Sequence, residues 1–194
     1  MKINTRRAIF EFLSIVIAVI LAMTLTEARQ NYLNKKEAKV SYGNILEEIV
    51  DNRESLLNDS THINADLRSI DLYVDKIDAG ETDELSLGFT LLILNTAALE
   101  VAKINESMAF LPNSTNMRLS AVYKTQAFYE EKAKETFNVM ADMNSVRSDM
   151  ASEIFIAKLR EYQFQLRLVS SAIRTYLEET ESFALELDSL NSLK

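Results

Sequence analysis

Two long apolar stripes at heptad spacing constrain the fold of this chain more than any other feature. Each alternates steps of three and four residues without a slip, which keeps one face of a helix against a partner along its whole length. The first stripe comprises Tyr42, Leu46, Ile49, Arg53, Leu56, Ser60, Ile63, Leu67, Ile70, Val74 and Ile77. The second comprises Phe155, Leu159, Tyr162, Leu166, Val169, Ile173, Tyr176, Thr180, Phe183, Leu187 and Leu190. The pattern predicts two long paired helices, and no reaction chemistry requires it.

The scarcity of turn residues favours the same all-α fold. The chain of 194 residues contains only 3 Gly and 1 Pro, whereas sheets and tight turns need more of both. The net charge of −8 argues against a nucleic-acid partner, because phosphate binding needs a basic face. The chain has 0 Cys, which excludes disulfides, thiol catalysis and thiolate metal sites.

The N-terminal segment has the length and composition of a transmembrane helix. Residues 8–26 are mostly apolar and would extend about 28 Å as a helix, close to the ~30 Å hydrocarbon core of a bilayer. Glu11 lies near the start of this segment, where its carboxylate can reach the headgroups; a functional intramembrane carboxylate is the alternative. A signal peptide is the rival interpretation, but the poor cleavage sites at 22–24 and 26–28 favour an uncleaved anchor.

The predicted domain division is a tail and anchor at 1–27 and a helical domain at 28–194. Lys and Arg residues lie on both sides of the span, so their count alone gives no orientation. A short basic tail usually stays inside, and long following domains translocate largely regardless of charge. We therefore predict a single-pass protein with residues 28–194 on the extracytoplasmic side of the membrane.

The two stripes predict an antiparallel helical hairpin within a four-helix bundle-like domain. Residues 28–79 and 150–193 would extend about 78 Å and 65 Å, with two shorter helices inserted between them. An antiparallel overlay brings Arg53 close to Thr180, so that polar breaks in the two stripes meet. The inserted region, at about 80–145, is predicted as a distal head that sits at, or folds back from, the far end of the hairpin.

Four local features carry further predictions. Asn58–Thr61 is poor in helix formers and could kink the first long helix. Residues 85–93 alternate apolar with other residues and predict a buried extended connector. Asn95 or Thr96 can cap the helix that follows, which carries Ala98, Val101, Asn105 and Met108 at 3–4 spacing and stops before Pro112. Acidic residues near the C terminus would approach the basic stretch, bringing Glu178, Glu179, Glu181, Glu186 and Asp188 towards Lys35, Lys36 and Lys39.

No group of residues has the spacing of a catalytic or metal site. The single histidine, His62, cannot build a di-metal pattern; a surface or interface residue is the favoured interpretation and a ligand the alternative. Adjacent carboxylates, as at Glu47-Glu48, point about 100° apart on a helix and are expected to form solvated faces. We predict no enzyme activity, no cofactor and no metal site.

The most distinctive local sequence lies in the inserted region, at 95–102, 108–112 and 119–126. With the basic tail and apolar span, these segments resemble a family of uncharacterised bacterial single-pass membrane proteins. The residues that match its motifs are Thr96, Ala97, Glu100, Ala102, Leu119, Tyr123 and Gln126. The family's Trp falls at Ala98, so an aromatic plug is missing here. The resemblance implies a helical domain anchored in a bacterial inner membrane, with no assigned activity.

Two functions fit these features. The first is a membrane-anchored scaffold or interaction protein, with the lipid bilayer and a partner protein or second copy as its partners. The alternative is an extracytoplasmic sensory or ligand-binding bundle that acts through a partner protein. Irregular segments on a rigid scaffold often carry binding surfaces, so Glu100, Tyr123 and Gln126 are the predicted partner or ligand contacts. A core role for Tyr123, with its hydroxyl satisfied inside the bundle, is the other possibility.

Overall fold

The computed structural model describes residues 5–81, 85–145 and 153–191, which form helices joined by irregular segments. The helices are α1 (Thr5–Asp78), α2 (Ala97–Ile104), a short 3-10 helix (Ser107–Phe110), α3 (Asn113–Ser145) and α4 (Glu153–Asn191). No strand occurs in these described ranges. The predicted all-α fold class is confirmed.

Helix α1 is a single helix of 74 residues, about 110 Å long. It runs without a break through Asn58–Thr61, where the Ser60 and Thr61 hydroxyls donate to the Leu57 carbonyl, one turn earlier in the same helix. Nearly all side chains from 9 to 37 are exposed, and burial begins at Ala38. An apolar window of 18 residues in the N-terminal part has mean hydropathy 2.4 and none of it is buried. This helix is long and apolar enough to cross a membrane.

Helix α4 packs antiparallel to α1 along the two predicted stripes. The Tyr42 hydroxyl donates to Glu186 Oε1 at 2.9 Å, and Arg53 donates to Thr180 Oγ1 at 3.1 Å and to a neighbouring carbonyl of α4. From Phe155 to Phe183, no residue of the α4 stripe is more than 1% exposed. The predicted antiparallel hairpin and the meeting of Arg53 with Thr180 are confirmed.

Helix α3 contributes a third heptad seam, which the sequence analysis missed. Its buried or half-buried residues are Leu119, Val122, Gln126, Tyr129, Ala133, Thr136, Met140 and Met143. The helix runs antiparallel to α4, with hydrogen bonds from Thr125 to Glu179 and from Arg118 to Ser182. The seam was not predicted because it includes Gln126, Ala133 and Thr136, and polar or small residues do not indicate a buried helical face.

The segment 85–111 runs back along α1 and takes the fourth position of the bundle. The segment runs antiparallel to α1, because residues later in the segment contact residues earlier in α1. The pairs are Gly88 with Asp66, Asn95 with Asn52, Ala98 with Glu48, and Ser107 with Ser41. Seven extended residues from 88 to 95 cover about 23 Å, close to the 21 Å covered by fourteen helical residues from 52 to 66.

The described part of 80–145 therefore forms no separate distal head. Of the two predicted arrangements, the region folds back from the far end, and α2 lies beside residues 41–48 at the end of the bundle nearest the apolar segment. An extended chain rises about twice as far per residue as a helix. A short connector can for this reason return along most of the bundle.

One detail of the returning segment differs from prediction. The alternation predicted for the connector holds from Leu85 to Leu91 and then slips, leaving Ile93 76% exposed and Leu94 5% exposed. In α2 the most buried residues are Leu99 and Ala102, while Val101 and Asn105 face outward. Of the four residues at the noted 3–4 spacing, Ala98 and Met108 are half-buried against the core, and the Ala98 amide also donates to Glu48.

Helix α4 reaches the neighbourhood of the basic stretch, since Glu186 accepts a hydrogen bond from Tyr42, less than one turn from Lys39. In the described ranges, however, the predicted charge pairing with Lys35, Lys36 and Lys39 is not seen. Glu186 instead lies 3.5 Å from Arg118 and accepts the hydrogen bond from Tyr42, and Glu179 accepts one from Thr125. The three lysines are exposed at the point where the packed part of α1 begins, at Ala38.

Candidate functional site

Helix α1 carries a second seam, beside the apolar stripe, that faces segment 85–111 and α3. We call it the polar seam, and it comprises Ser41, Glu48, Asn52, Asp59 and Asp66. The steps of seven, four, seven and seven residues keep these side chains on one face of a helix. Its members contact backbone groups or polar side chains of the other elements, and these contacts define the candidate site.

Glu48 joins α1 to both α2 and α3. Only 5% of this residue is exposed, and its Oε2 accepts the Ala98 backbone N–H at 2.7 Å. Its Oε1 accepts the Tyr123 hydroxyl at 2.6 Å. Ala98 lies in the first turn of α2, where backbone N–H groups lack helical partners and favour a negative charge. The expectation that the Glu47-Glu48 pair is solvated was therefore wrong for Glu48, although Glu47 is exposed.

Asn52 holds one residue of the connector through two hydrogen bonds. Its Nδ2 donates to the Asn95 carbonyl at 2.8 Å, and its Oδ1 accepts the Asn95 N–H at 2.8 Å. Gln126, on α3, donates to the same carbonyl at 3.3 Å and to Glu130 at 3.2 Å. The two amides satisfy backbone groups that an extended segment cannot satisfy within itself. Asn95 in turn caps α2, since its Oδ1 accepts the Ala97 N–H at 3.0 Å.

The structure brings two of the three predicted contact residues together. Tyr123 and Gln126 both reach the polar seam from α3, and Gln126 is 1% exposed. Burial raises the pKa of the Tyr123 hydroxyl, and its hydrogen bond to the Glu48 carboxylate raises it further. Glu100 lies apart on the outer face of α2, where it pairs with Lys103 at 2.9 Å. The contacts of Tyr123 and Gln126 fix the returning segment, and a role of all three in partner binding stays a prediction.

A polar cavity of about 410 Å³ lies further along the same face of α1, against residues 86–90. It is lined by Asp59, His62, Ile63, Asp66, Ser86, Gly88, Phe89 and Thr90. Burial raises the pKa of both carboxyls; hydrogen bonds from the Tyr129 hydroxyl to Asp59 and from the Gly88 N–H to Asp66, each at 3.4 Å, oppose that rise. The cavity was missed at the sequence level. Its signal was the spacing of Asp59, His62 and Asp66 on one helical face.

A smaller cavity of about 190 Å³ lies between α2 and α3. Asn116 lines it, donates through Nδ2 to the Met108 carbonyl at 2.9 Å, and leaves its buried Oδ1 without a partner. Across the described ranges, no three or more His, Cys, Asp or Glu side chains are grouped so that they could hold a metal ion. The larger cavity presents two carboxylates and an imidazole, groups that accept hydrogen bonds or pair with cations.

Comparison of the chain with models of protein families, with curated proteins and with solved structures gave no match. The resemblance to single-pass bacterial membrane proteins stays a prediction from short motifs.

Proposed function

We propose that the chain is a membrane-anchored helical scaffold that presents its bundle to a partner protein or a second copy, without catalysis of its own. The observation that carries this proposal is the continuity of α1. One unbroken helix supplies both the exposed apolar window near its N terminus and the buried stripe from Tyr42 to Ile77. An apolar surface of this length with no protein covering it is suited to lipid.

The segment between the two parts of α1 sets the position of the bundle. Residues 27–37 are mostly polar and exposed and extend about 16 Å as a helix. The bundle would thus stand above a bilayer on a short helical stalk. We place it on the extracytoplasmic side of a bacterial inner membrane, following the short basic tail and the family resemblance.

Exposed aliphatic side chains on the returning segment support a partner-binding role. Ile93, Val101 and Ile104 are exposed although their neighbours Leu94, Leu99 and Ala102 are buried. The polar seam fixes the backbone that carries them, so they are presented on a positioned surface. Large aliphatic groups on a fixed surface are suited to a protein partner more than to a small polar substrate.

Membrane fractionation tests the anchor. The unaltered chain is expected to sediment with membranes and to resist alkaline carbonate. The double variant Ile17→Arg/Ile20→Arg is expected to be released, because each charge at the centre of a span costs about 2.5–3.5 kcal/mol. Both side chains are exposed in the fold, so the circular dichroism of the bundle should not change. Leu72→Arg, at an exposed position of the bundle, is the matched control and should stay in the membrane.

Photocrosslinking in intact membranes tests partner binding. A photoreactive residue at Ile104 is expected to give discrete adducts, and one at exposed Leu72 should give few. Recovery of the unaltered chain in the soluble fraction would contradict the anchor. Equal, diffuse labelling from both positions would contradict the presented surface.

A ligand-binding or sensory bundle is the second candidate function, and the 410 Å³ cavity favours it. Such a bundle would bind a small molecule between α1 and the connector and pass the change to a partner. The two candidates are compatible with the same anchor. They differ in whether the cavity has a specific ligand.

A further inference from the structure

The spacing of the charged groups in the 410 Å³ cavity limits the shape of any ligand. Asp59 and Asp66 are seven residues apart on α1, which is about 10.5 Å along the axis. His62 lies between them, about 4.5 Å from Asp59 and 6 Å from Asp66 by the same rise. One metal ion cannot bind both carboxylates, because such bonds are only about 2.0–2.6 Å long. An extended ligand with two charged ends can reach both.

The two carboxyl groups of the cavity share one cationic neighbour: burial is the largest influence on the pKa of Asp59 and Asp66 and raises it, whereas the charge of His62 lowers it. Asp59 Oδ2 accepts the Tyr129 hydroxyl and Asp66 Oδ2 accepts the Gly88 N–H. Both donors are neutral, and in the described ranges neither carboxylate forms an ion pair with Lys or Arg. Burial raises the pKa of both carboxyl groups, since their charged forms are poorly solvated there. A ligand that brings two positive charges would stabilise the two carboxylates.

A buried hydroxyl beside Asp66 points to the same end of the cavity. Tyr162, on α4, is fully buried, and its hydroxyl has no hydrogen-bond partner. The pKa of this hydroxyl is raised by burial and then by the nearby charge of Asp66. Buried polar groups are nearly always paired, so an orphan hydroxyl calls for an explanation. Tyr162 does not itself line the cavity; an ammonium group bound to Asp66 would offset the charge that raises the pKa of this hydroxyl.

We propose that this cavity is a binding site for a linear polyamine, whose terminal ammonium groups pair with Asp59 and Asp66. Phe89 and Ile63, which also line the cavity, supply apolar surface for the methylene chain. A triamine with three- and four-carbon arms extends about 11 Å between its terminal nitrogens at ordinary bond lengths. Its central nitrogen then falls beside His62. The inference rests on the second candidate function and is independent of the membrane anchor.

Calorimetric titration of the full chain in nanodiscs of zwitterionic lipid tests the proposal, because polyamines bind anionic lipid by themselves. The probes are spermidine, butane-1,4-diamine and butylamine. We expect saturable binding of one spermidine per chain, weaker binding of the diamine, which is too short to reach both carboxylates, and no measurable binding of butylamine. Asp59→Asn and Asp66→Asn should each weaken spermidine binding about ten- to a hundredfold, the range for hydrogen bonds to charged groups.

Two further variants make the result specific. Asp75→Asn removes the same charge from an exposed position of α1 outside the cavity and should leave the affinity unchanged. His62→Ala alters an exposed side chain, so folding should not change, and it should change the affinity for spermidine more than that for the diamine, because only the triamine places a nitrogen beside His62. Circular dichroism identifies any variant that unfolds; His62→Ala then provides the decisive comparison.

Three results would overturn the proposal. The first is the absence of saturable heat with spermidine, and the second is an equal loss of affinity in Asp66→Asn and Asp75→Asn. The third is displacement of spermidine by Mg²⁺ at equal charge concentration, which would indicate general attraction to an acidic protein. A failed anchor would appear in the fractionation experiment and would leave these titrations unaffected.

Discussion

The two buried faces of α1 hold their partners by different physical means. The apolar stripe from Tyr42 to Ile77 packs against α4, a helix whose backbone groups are satisfied internally. The polar seam from Ser41 to Asp66 packs against a segment that is partly extended and cannot satisfy its own backbone. A helical partner needs only complementary surface, whereas an extended one also needs donors and acceptors. In this fold the polar residues of the seam therefore bind backbone groups of the returning segment as well as side chains of α3.

The largest expected effect comes from a cavity in the apolar stripe. Leu56 is 0% exposed, and Leu56→Ala should lower the free energy of unfolding by about 2–5 kcal/mol through lost burial and residual cavity. Leu57→Ala, at the adjacent residue that is 47% exposed, is the matched control and should change it by less than about 0.5 kcal/mol. Urea unfolding followed by circular dichroism measures both. Equal effects would mean that the stripe does not face the core.

The corresponding change in the polar seam is Glu48→Ala. It leaves the Ala98 N–H and the Tyr123 hydroxyl without their acceptor, and each unpaired buried group costs about 1–3 kcal/mol. We expect a loss of about 2–4 kcal/mol in the free energy of unfolding, while Glu47→Ala at the exposed neighbour should be nearly neutral. Glu48→Gln keeps an acceptor and should lose less than Glu48→Ala. A neutral Glu48→Ala would show that the connector does not need this seam.

The difference between Glu47 and Glu48 shows which features of the fold could be predicted from the sequence and which could not. The apolar stripes, the antiparallel hairpin and the pairing of Arg53 with Thr180 followed from periodicity, because apolar residues at heptad spacing have one common use. Two adjacent Glu residues look alike in the sequence, and nothing local indicates which of them is buried. Only the contact with Ala98 and Tyr123 distinguishes them.

The candidate site was harder to predict for the same reason. Tyr123 and Gln126 were identified through motif resemblance, and the structure brings both to the polar seam. Asp59, His62 and Asp66 share a helical face in the sequence, but nothing local shows that residues 86–90 lie over them. That contact depends on the connector running back along α1 and not on the propensities of either segment.

A smaller, local effect should follow from Asn52→Ala. The variant removes both hydrogen bonds to Asn95, but Gln126 still donates to the Asn95 carbonyl. We expect the connector to open more often while the α1–α4 pair stays intact. Hydrogen exchange should therefore speed up at the Asn95 amide more than at amides in the centre of α4. Uniform acceleration in both regions would mean that the two faces of α1 unfold as one unit.

The carboxyl groups of Asp59 and Asp66 should give the free energy of unfolding a weak dependence on pH. Burial raises the pKa of Asp59 and Asp66 in the folded state. Above the unfolded pKa of about 3.9, the folded state therefore holds more protons than the unfolded state. The free energy of unfolding should fall as pH rises through this window and level off once both carboxyls are ionised.

Comparison of variants isolates that effect, which should be under about 1 kcal/mol because both groups are partly solvated. Asp66→Asn should gain stability relative to the unaltered chain between pH 4 and 7, whereas Asp75→Asn, at an exposed site, should not. Urea unfolding at several pH values measures the difference. A constant difference across the range would show that the Asp66 carboxyl is not perturbed.

The smallest expected change in stability is that of Arg53→Leu, at the polar residue within the apolar stripe. Arg53 donates to Thr180 and to the Leu177 carbonyl, and Arg53→Leu would exchange those bonds for apolar contact with α4. The Thr180 hydroxyl still donates to the Tyr176 carbonyl after this change, so no buried donor loses its acceptor, and we expect a change below about 1 kcal/mol. The consequence should instead concern register, since a polar layer restricts how two apolar seams align.

The chain has 0 Cys, so cysteines introduced at Leu56 and Tyr176 can report on the register of α1 and α4 without background from other thiols. The two cysteines should cross-link efficiently when Arg53 is present and less efficiently when Arg53→Leu is added. Equal cross-linking yields would show that apolar packing alone sets the alignment of α1 and α4.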